Sequence, residues 1–264
     1  MIKLIASDMD GTLLNDKKEL PPDFYDVLGQ LHRKGVHFVI ASGRSFTTLK
    51  INFDGHMDKL DFICDNGAYV VVNGKLVSMS ILDPQRLAEM IEVCFEYGAC
   101  PVLCGVHGTY FENRDEVLYE QVQKYYLNFT RVDDIRTVRD DIFKVAVFDR
   151  RGVEKNSYPI IADKFANDFT AAVSGPLWMD IMNKGINKGA ALDKIRRELS
   201  ISREDTMAFG DYFNDAELIG GAGYGFVMAN AHPDMFQYGK YRAEDNNSCG
   251  VTKAIKEYVL NDRN

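Results

Sequence analysis

The chain has 264 residues, 46% of them apolar, enough for one large or two ordinary domains whose cores need no staples. A formal net charge of −8 and a pI near 5.2 give no support to nucleic acid or an anionic membrane as partner, and any phosphate ligand would have to be held by local positive charge and a metal. Five cysteines without a C-x-x-C pair read as reduced thiols, residues 1–5 are too short for a signal peptide, and no stretch approaches a membrane span; a cytoplasmic protein is expected, of unknown oligomeric state.

Residues 2–6 form a short apolar run with the length of a buried strand, and Asp8-Met9-Asp10-Gly11 follows at its carboxyl end. In an open parallel sheet ligands gather at that edge, because loops diverge there and helix N-termini point into the crevice. Two carboxylates two residues apart, followed by a turn glycine, can share one hard cation and leave an oxygen free as a nucleophile. A lone D-x-D is also an ordinary Asp-Gly turn, so the pair needs company.

Phe24, Val27, Leu28 and Leu31 recur at helical spacing behind Pro21-Pro22 and stop at Gly35. Residues 36–41 read as a second buried strand ending in Ser42-Gly43-Arg44, before a helix that starts near Ser45, and Phe62-Ile63-Cys64 as a third strand. Residues 68–72 and 76–81 flank Asn73-Gly74, the signal of a two-residue hairpin turn. The pattern changes at Asp83-Pro84, an N-cap followed by proline at the first helical position, with Leu87, Met90, Ile91 and Phe95 as an apolar face. Strands at 102–106, 109–111 and 143–148, helices at 116–126 and 153–166, and paired strands at 169–173 and 178–182 follow without simple alternation. That mixture predicts an α+β insertion.

Alternation returns at Asn187, with a helix bearing Ala191, Leu192, Ile195 and Leu199, then a strand at 206–209 ending in Gly210-Asp211 and a short helix at 215–219. Strands at 224–228 and near 241–243 and a closing helix with Val251, Ile255 and Val259 complete it. Gly220-Gly221-Ala222-Gly223 cannot be laid on a dinucleotide fingerprint, and no such loop follows the first strand. The expected fold class is α/β, a doubly wound (Rossmann-like), mostly parallel sheet core at residues 1–82 and 188–264 with an inserted α+β domain at 83–187.

Four positions stand where a strand of the alternating part ends or a helix begins: Asp8-x-Asp10, Ser42-Gly43, Lys188, and Asp211 with Asn214 and Asp215. Ser42 offers a hydroxyl and Gly43 a close backbone approach, as an anion-binding turn requires, although capping a helix is the commoner role for such a serine. Lys188 sits at a helix start, where the dipole disfavours a cation; this points to a nearby anion, with a solvated surface lysine as the plain alternative. Asp215 at a helix start and Asn214 in a turn have local explanations of their own.

Asp8-Met9-Asp10-Gly11-Thr12-Leu13-Leu14, Ala41-Ser42-Gly43-Arg44, Asn187-Lys188-Gly189-Ala190-Ala191-Leu192 and Gly210-Asp211-Tyr212-Phe213-Asn214-Asp215 resemble the four ordered motifs of the haloacid dehalogenase-like hydrolase superfamily. More narrowly, with Asp65-Asn66-Gly67-Ala68 and Met228-Ala229-Asn230-Ala231, the chain is similar to its Cof-type sugar-phosphate phosphatases, and the middle segment stands as their C2-type cap domain. The resemblance implies that Asp8 attacks phosphorus and that Asp10 protonates the leaving oxygen and then activates water. It further implies Mg²⁺ held by the Asp8 carboxylate, the Asp10 backbone carbonyl and Asp211, with Asp215 in support. Met9 through its amide, Ser42, Gly43, Lys188 and Asn214 would then hold the phosphoryl oxygens of a small phosphorylated metabolite.

Elementary chemistry agrees with these roles, since monoester hydrolysis is among the slowest uncatalysed reactions and demands both charge neutralisation and in-line positioning. Tyr212 and Phe213 depart from the smaller or polar residues usual at their positions and leave pocket shape open. In the insertion His107, Tyr110 and Asp180 are candidates for substrate contact, with structural or exposed roles as the alternative. Competing readings are a phosphorylated-ligand sensor, which needs no acid/base residue such as Asp10, and a receiver-like signalling domain, which the large insertion disfavours. A sugar phosphomutase shares the same motifs and differs only in the acceptor.

Overall fold

The computed structural model describes residues 1–112 and 114–261, in two compact units. One comprises Met1–Ser78 and Asn187–Asn264, the other Met79–Ile186.

In the first unit the chain runs β1 (Leu4–Asp8), α1 (Phe24–Arg33), β2 (His37–Ala41), α2 (Phe46–Asn52), β3 (Asp61–Cys64), β4 (Tyr69–Val72) and β5 (Lys75–Met79). Within the second unit follow α3 (Pro84–Glu96), β6 (Cys100–Gly105), β7 (Thr109–Glu112), α4 (Glu116–Tyr125), β8 (Phe129–Val132), β9 (Ile142–Phe148), α5 (Ser157–Lys164), β10 (Phe169–Gly175) and β11 (Trp178–Asn183). The first unit resumes with α6 (Lys188–Leu199), β12 (Thr206–Gly210), α7 (Ala216–Gly220), β13 (Tyr224–Met228), β14 (Tyr241–Ala243) and α8 (Gly250–Ile255).

The first unit is built on an eight-stranded sheet in the order β14-β13-β12-β1-β2-β3-β4-β5. It is parallel from β14 to β3, and β4 joins β3 antiparallel. All five residues of β1 are buried, as a central strand covered on both faces requires. Its side chains alternate between two layers. Ile5 packs with Phe38, Ile40, the α1 residues Phe24, Val27, Leu28 and Leu31, and Ile255 of α8. Leu4 and Ala6 pack with Val39, Ala41 and the α6 residues Ala191, Leu192 and Ile195. Each large side chain fully buried this way contributes roughly 1.5–3 kcal/mol, so the helical periodicity read in α1 and α6 is what binds both layers to the sheet. The β4–β5 turn uses Asn73 and Gly74, both at positive φ (50° and 70°), the backbone that a two-residue hairpin needs.

Parallel register fixes what meets at the sheet's carboxyl edge. Asp8 pairs with Ala41, Ser7 with Phe209 and Ala41 with Ile63. The chain therefore leaves β1, β2, β3 and β12 at one level, which brings the residues after Asp8, Ala41, Cys64 and Gly210 to a common edge.

The second unit is a six-stranded sheet, β10-β11-β9-β6-β7-β8, antiparallel except for the β7–β8 pair. One face packs on α3 and α5 through Met90, Ile91, Val145, Val147, Ile161 and Met179. The other packs on α4 through Val102, Phe111, Leu118, Val122 and Phe148. The Asp83 carboxylate accepts the backbone N–H groups of Gln85 and Arg86 at 3.0 and 2.9 Å, capping α3.

Two elements of this unit depart from the sequence expectation. Helix α5 begins at Ser157 rather than at 153, because Val153 is held in a turn: its N–H donates to the Pro176 carbonyl, and its own carbonyl accepts from Asn156 and Tyr158. Strand β8 was not expected at all; it lies at the sheet's edge with Thr130 and Arg131 exposed. No helix among the described residues is long and apolar enough to cross a membrane, and all five cysteines carry free thiols.

Candidate active site

Asp8 ends β1, and the turn after it folds back on itself. Leu13 N–H donates to the Asp8 carbonyl at 3.2 Å, and Leu14 N–H to the Met9 carbonyl at 2.8 Å. Gly11 sits at φ 85°, and a Cβ there would lie 2.5 Å from an Asp211 oxygen, so only glycine lets the β12 loop approach this turn. Thr12 closes the gap by donating its hydroxyl to Asp211 Oδ1 at 2.8 Å.

Lys188 is the first residue of α6, whose N-cap Asn187 accepts the Ala190 N–H at 2.7 Å. The α6 terminus reaches the sheet edge because Gly67, at φ 109° after β3, has no Cβ: one would stand 2.5 Å from the Asn187 carbonyl. Asp65 and Asn66, just before it, also hold left-handed backbones (φ 46° and 54°), a conformation that costs on the order of 1–3 kcal/mol per residue and concentrates at functional turns. The Lys188 side chain is fully buried. Its Nζ lies 2.5 Å from Asp8 Oδ1 and 2.6 Å from Asp215 Oδ1.

The second oxygen of Asp215 accepts the N–H groups of Asp211 and Tyr212 at 3.1 and 3.3 Å, so this carboxylate both shapes the β12 loop and faces the lysine. Carboxylate oxygens of Asp8, Asp211 and Asp215 all lie within 4.8 Å of one another. Burial, with the Asp215 charge adding, pushes the Asp8 carboxyl up to about 7 against the pull of Lys188. Burial likewise pushes Asp211 up to about 6 despite the bond from Thr12. For Lys188, burial disfavours the ammonium, but Asp215 and Asp8 outweigh it and hold the pKa above the ordinary lysine value. Three carboxylates against one ammonium leave the cluster short of positive charge. An all-oxygen donor set without cysteine or histidine suits a hard divalent cation.

The Asp10 carboxylate stands apart from this cluster, held by Arg44 (Nε 3.1 Å, Nη2 2.8 Å) and by Lys18 (Nζ 2.9 Å). Partial burial works against its charge, but these two cations win and keep its pKa below the usual carboxylate range. Ser42, buried, accepts the Arg44 N–H on its hydroxyl at 3.1 Å, while its carbonyl accepts the Asn66 N–H. The Asn66 side chain lies over Gly43 and accepts from Asn214 Nδ2 at 3.3 Å. The Met9 side chain is buried in the core, so it can meet a ligand only through its backbone.

Asp8, Lys188, Asp211 and Asp215 thus converge directly, and Ser42, Gly43 and Asn214 are joined through Asn66. Arg44, Lys18, Thr12 and Asn66 were not singled out from sequence; Arg44, Thr12 and Asn66 lie inside quoted motifs, whereas nothing around Lys18 marks it. Tyr212 and Phe213 are exposed and pack on each other and on His232, leaving Asp211 and Asp215 in place. In the second unit His107 Nδ1 (2.8 Å) and Tyr110 Oη (3.0 Å) both bond Asp140, a structural engagement, while Asp180 is half-buried on β11.

The sequence profile of the haloacid dehalogenase-like hydrolases matches residues 5–255. The chain belongs to that family. Among its relatives, the Escherichia coli 5-amino-6-(5-phospho-D-ribitylamino)uracil phosphatase YbjI is 28% identical over 98% of this chain and 96% of its own length. The HMP-PP phosphatase of Cronobacter sakazakii is 26% identical over 89% of this chain and 87% of its own. The crystal structure of SMU.1108c from Streptococcus mutans matches with a TM-score of 0.88 at 28% identity, covering 98% of this chain and 100% of that one. The doubly wound sheet with an inserted α+β unit is the fold of this haloacid dehalogenase-like hydrolase, and relatives acting on small phosphorylated metabolites are phosphatases.

Proposed function

We propose that the protein is a Mg²⁺-dependent phosphatase that hydrolyses phosphate monoesters of small metabolites, sugar phosphates foremost, through an aspartyl-phosphate on Asp8. The observation that carries this reading is the fully buried Lys188 ammonium bridging Asp8 and Asp215 beside Asp211. A buried cation against a carboxylate cluster at the carboxyl edge of a parallel sheet suits an incoming phosphoryl group better than it suits stability alone. The names of the relatives support a small phosphorylated metabolite as substrate.

The donor set fits Mg²⁺, which Asp8, Asp211 and the Asp10 backbone carbonyl would hold with Asp215 in support. When bound, it would neutralise charge on the transferring group. The free Asp8 oxygen attacks phosphorus, and the bond to the leaving oxygen breaks. Asp10 gives that oxygen its proton, then takes one from water as the water attacks the aspartyl-phosphate, releasing inorganic phosphate and restoring the Asp8 carboxylate. Lys188, Ser42, Asn214 and the amides of Met9 and Gly43 hold the phosphoryl oxygens. Asp10 must leave Arg44 and Lys18 to carry a proton, and the substrate's dianionic phosphoryl group competes for the same two cations. The inserted unit serves as the cap domain and selects among substrates.

The test is phosphate release from p-nitrophenyl phosphate and a panel of phosphorylated sugars, nucleotides and cofactors, with Mg²⁺ and with excess EDTA. Turnover is expected only with the metal, and Asp8→Asn should abolish it while the protein stays folded. Full activity in EDTA, or in Asp8→Asn, sinks the reading. Changes in cap positions such as Asp180 should reorder the panel more than they alter hydrolysis of p-nitrophenyl phosphate.

A further inference from the structure

The segment Met228-Ala229-Asn230-Ala231 carries part of the family likeness but no role in the site as assigned. Its asparagine bonds directly to the turn that follows Asp10: Asn230 Nδ2 donates to the Gly11 carbonyl at 2.8 Å. The other end of the same carboxamide, Oδ1, accepts the Asn246 N–H at 3.1 Å. Asn246, almost fully buried, spends its own amide on the same loop, donating to the Leu14 carbonyl at 3.1 Å and to Asp16 Oδ1 at 3.0 Å. Two residues beyond Asn230, the His232 N–H donates to the Asp211 carbonyl at 3.1 Å. Residues 230–232 therefore hold the apex of the Asp10 turn and the Asp211 backbone at once, from a part of the chain 219 residues beyond Gly11.

We infer that Asn230 and Asn246 form an amide clasp that positions Asp10 for proton transfer to the leaving group. The clasp fixes the Gly11 carbonyl and, through Leu14 and Asp16, the far side of the loop, so the backbone on which Asp10 pivots keeps one place relative to Asp211. Hydrogen bonds of this kind decide geometry more than stability, and proton transfer is unforgiving of small displacements. The inference rests on the proposed role of Asp10 as proton carrier.

A difference between leaving groups separates positioning from mere structural support. kcat/KM reports steps through phosphoryl transfer to Asp8, and a departing phenol with a pKa of about 10 needs a proton far more than the more acidic p-nitrophenol does. For Asn230→Ala and Asn246→Ala, kcat/KM on phenyl phosphate is expected to fall about tenfold, a fraction of the roughly 10²–10⁴-fold that a positioned acid supplies. On p-nitrophenyl phosphate it should fall less than about threefold, the acid mattering less there. Asn230 is exposed, so its variant should melt close to the wild type and remain informative if Asn246→Ala folds poorly.

Equal losses on both esters, or none, in folded Asn230→Ala would overturn the clasp. Asp10→Asn is the control and should show the same skew in stronger form. If Asp10→Asn is skewed and Asn230→Ala is not, the clasp alone is wrong. If the wild type releases no phosphate, or Asp10→Asn shows no skew, the role of Asp10 falls and this inference falls with it.

Discussion

Lys188 Nζ stands 2.5 Å from Asp8 Oδ1 and 2.6 Å from Asp215 Oδ1, with no solvent exposure of the lysine side chain. One ammonium is shared by two carboxylates, with a third, Asp211, close by. The lysine therefore offsets part of the negative charge, and the remainder is what the proposed metal would neutralise. Buried ion pairs rarely add net stability, whereas breaking one leaves an uncompensated charge.

Lys188→Met should remove turnover and destabilise the metal-free protein by about 3–5 kcal/mol at pH 8. At pH 5 the loss should be smaller, because Asp8, at about 7 with the lysine in place, is already protonated there and leaves no uncompensated charge of its own when the lysine goes. Urea unfolding at the two pH values measures the difference. Equal losses would mean that the carboxylates do not depend on the lysine for compensation.

The raised carboxyls also give the proposed metal site a pH dependence. Asp8 at about 7 and Asp211 at about 6 keep protons that unfolded aspartates lose near pH 3.8. Between those values the folded metal-free state binds more protons than the unfolded one, so its stability falls as pH rises from about 4 towards 7. Mg²⁺ must displace the same protons, so its affinity should rise over pH 5.5 to 7.5 and level off above about 7.5. Calorimetric titration at several pH values checks this, with proton release greatest at the acid end; an affinity flat across the range counts against a metal site at these aspartates.

Legibility in the sequence followed the range of each interaction. The Asn73-Gly74 turn, the Asp83 cap and the start of α6 at Lys188 are local and were readable from residue type and spacing. So was the sheet edge, since apolar runs ending in Asp8, Ser42 and Gly210 imply strands that stop together once the register is parallel. Strand β8 was hidden because an edge strand with two exposed central residues carries little apolar signal. The Arg44–Asp10 and His107–Asp140 pairs join loops 34 and 33 residues apart, and nothing in either partner's neighbourhood encodes the other. Motif positions could thus be named, whereas the cations resting on Asp10 could not.

Thr12 tests how finely Asp211 is aimed. Its hydroxyl donates to Asp211 Oδ1 at 2.8 Å, and valine has nearly the same shape without the donor. Thr12→Val should raise the Mg²⁺ concentration for half-maximal activity about tenfold, the low end of the roughly 10–100-fold that loss of a ligand-orienting partner costs. Thermal stability without metal should change little. An unchanged Mg²⁺ dependence would show that Asp211 is oriented by its backbone alone.

Arg44 bears on the proton that Asp10 carries in the proposed mechanism. In this structure Arg44 and Lys18 hold the Asp10 carboxyl below the ordinary range, so in the free enzyme only a small fraction is protonated near neutrality. The pH dependence of kcat/KM reports groups of the free enzyme, and an acid that must be protonated gives a limb that falls as pH rises. Removing Arg44 takes away the largest of the influences that lower the Asp10 pKa, so the pKa rises and that limb should move to higher pH. Arg44→Met should show the displaced limb even though peak activity drops, because a cation that can meet the phosphoryl group is lost. Lys18→Met should move the limb the same way by a smaller step. A limb that stays put in both variants, with both folded, would mean that Asp10 is not paired with these cations in the enzyme that meets its substrate.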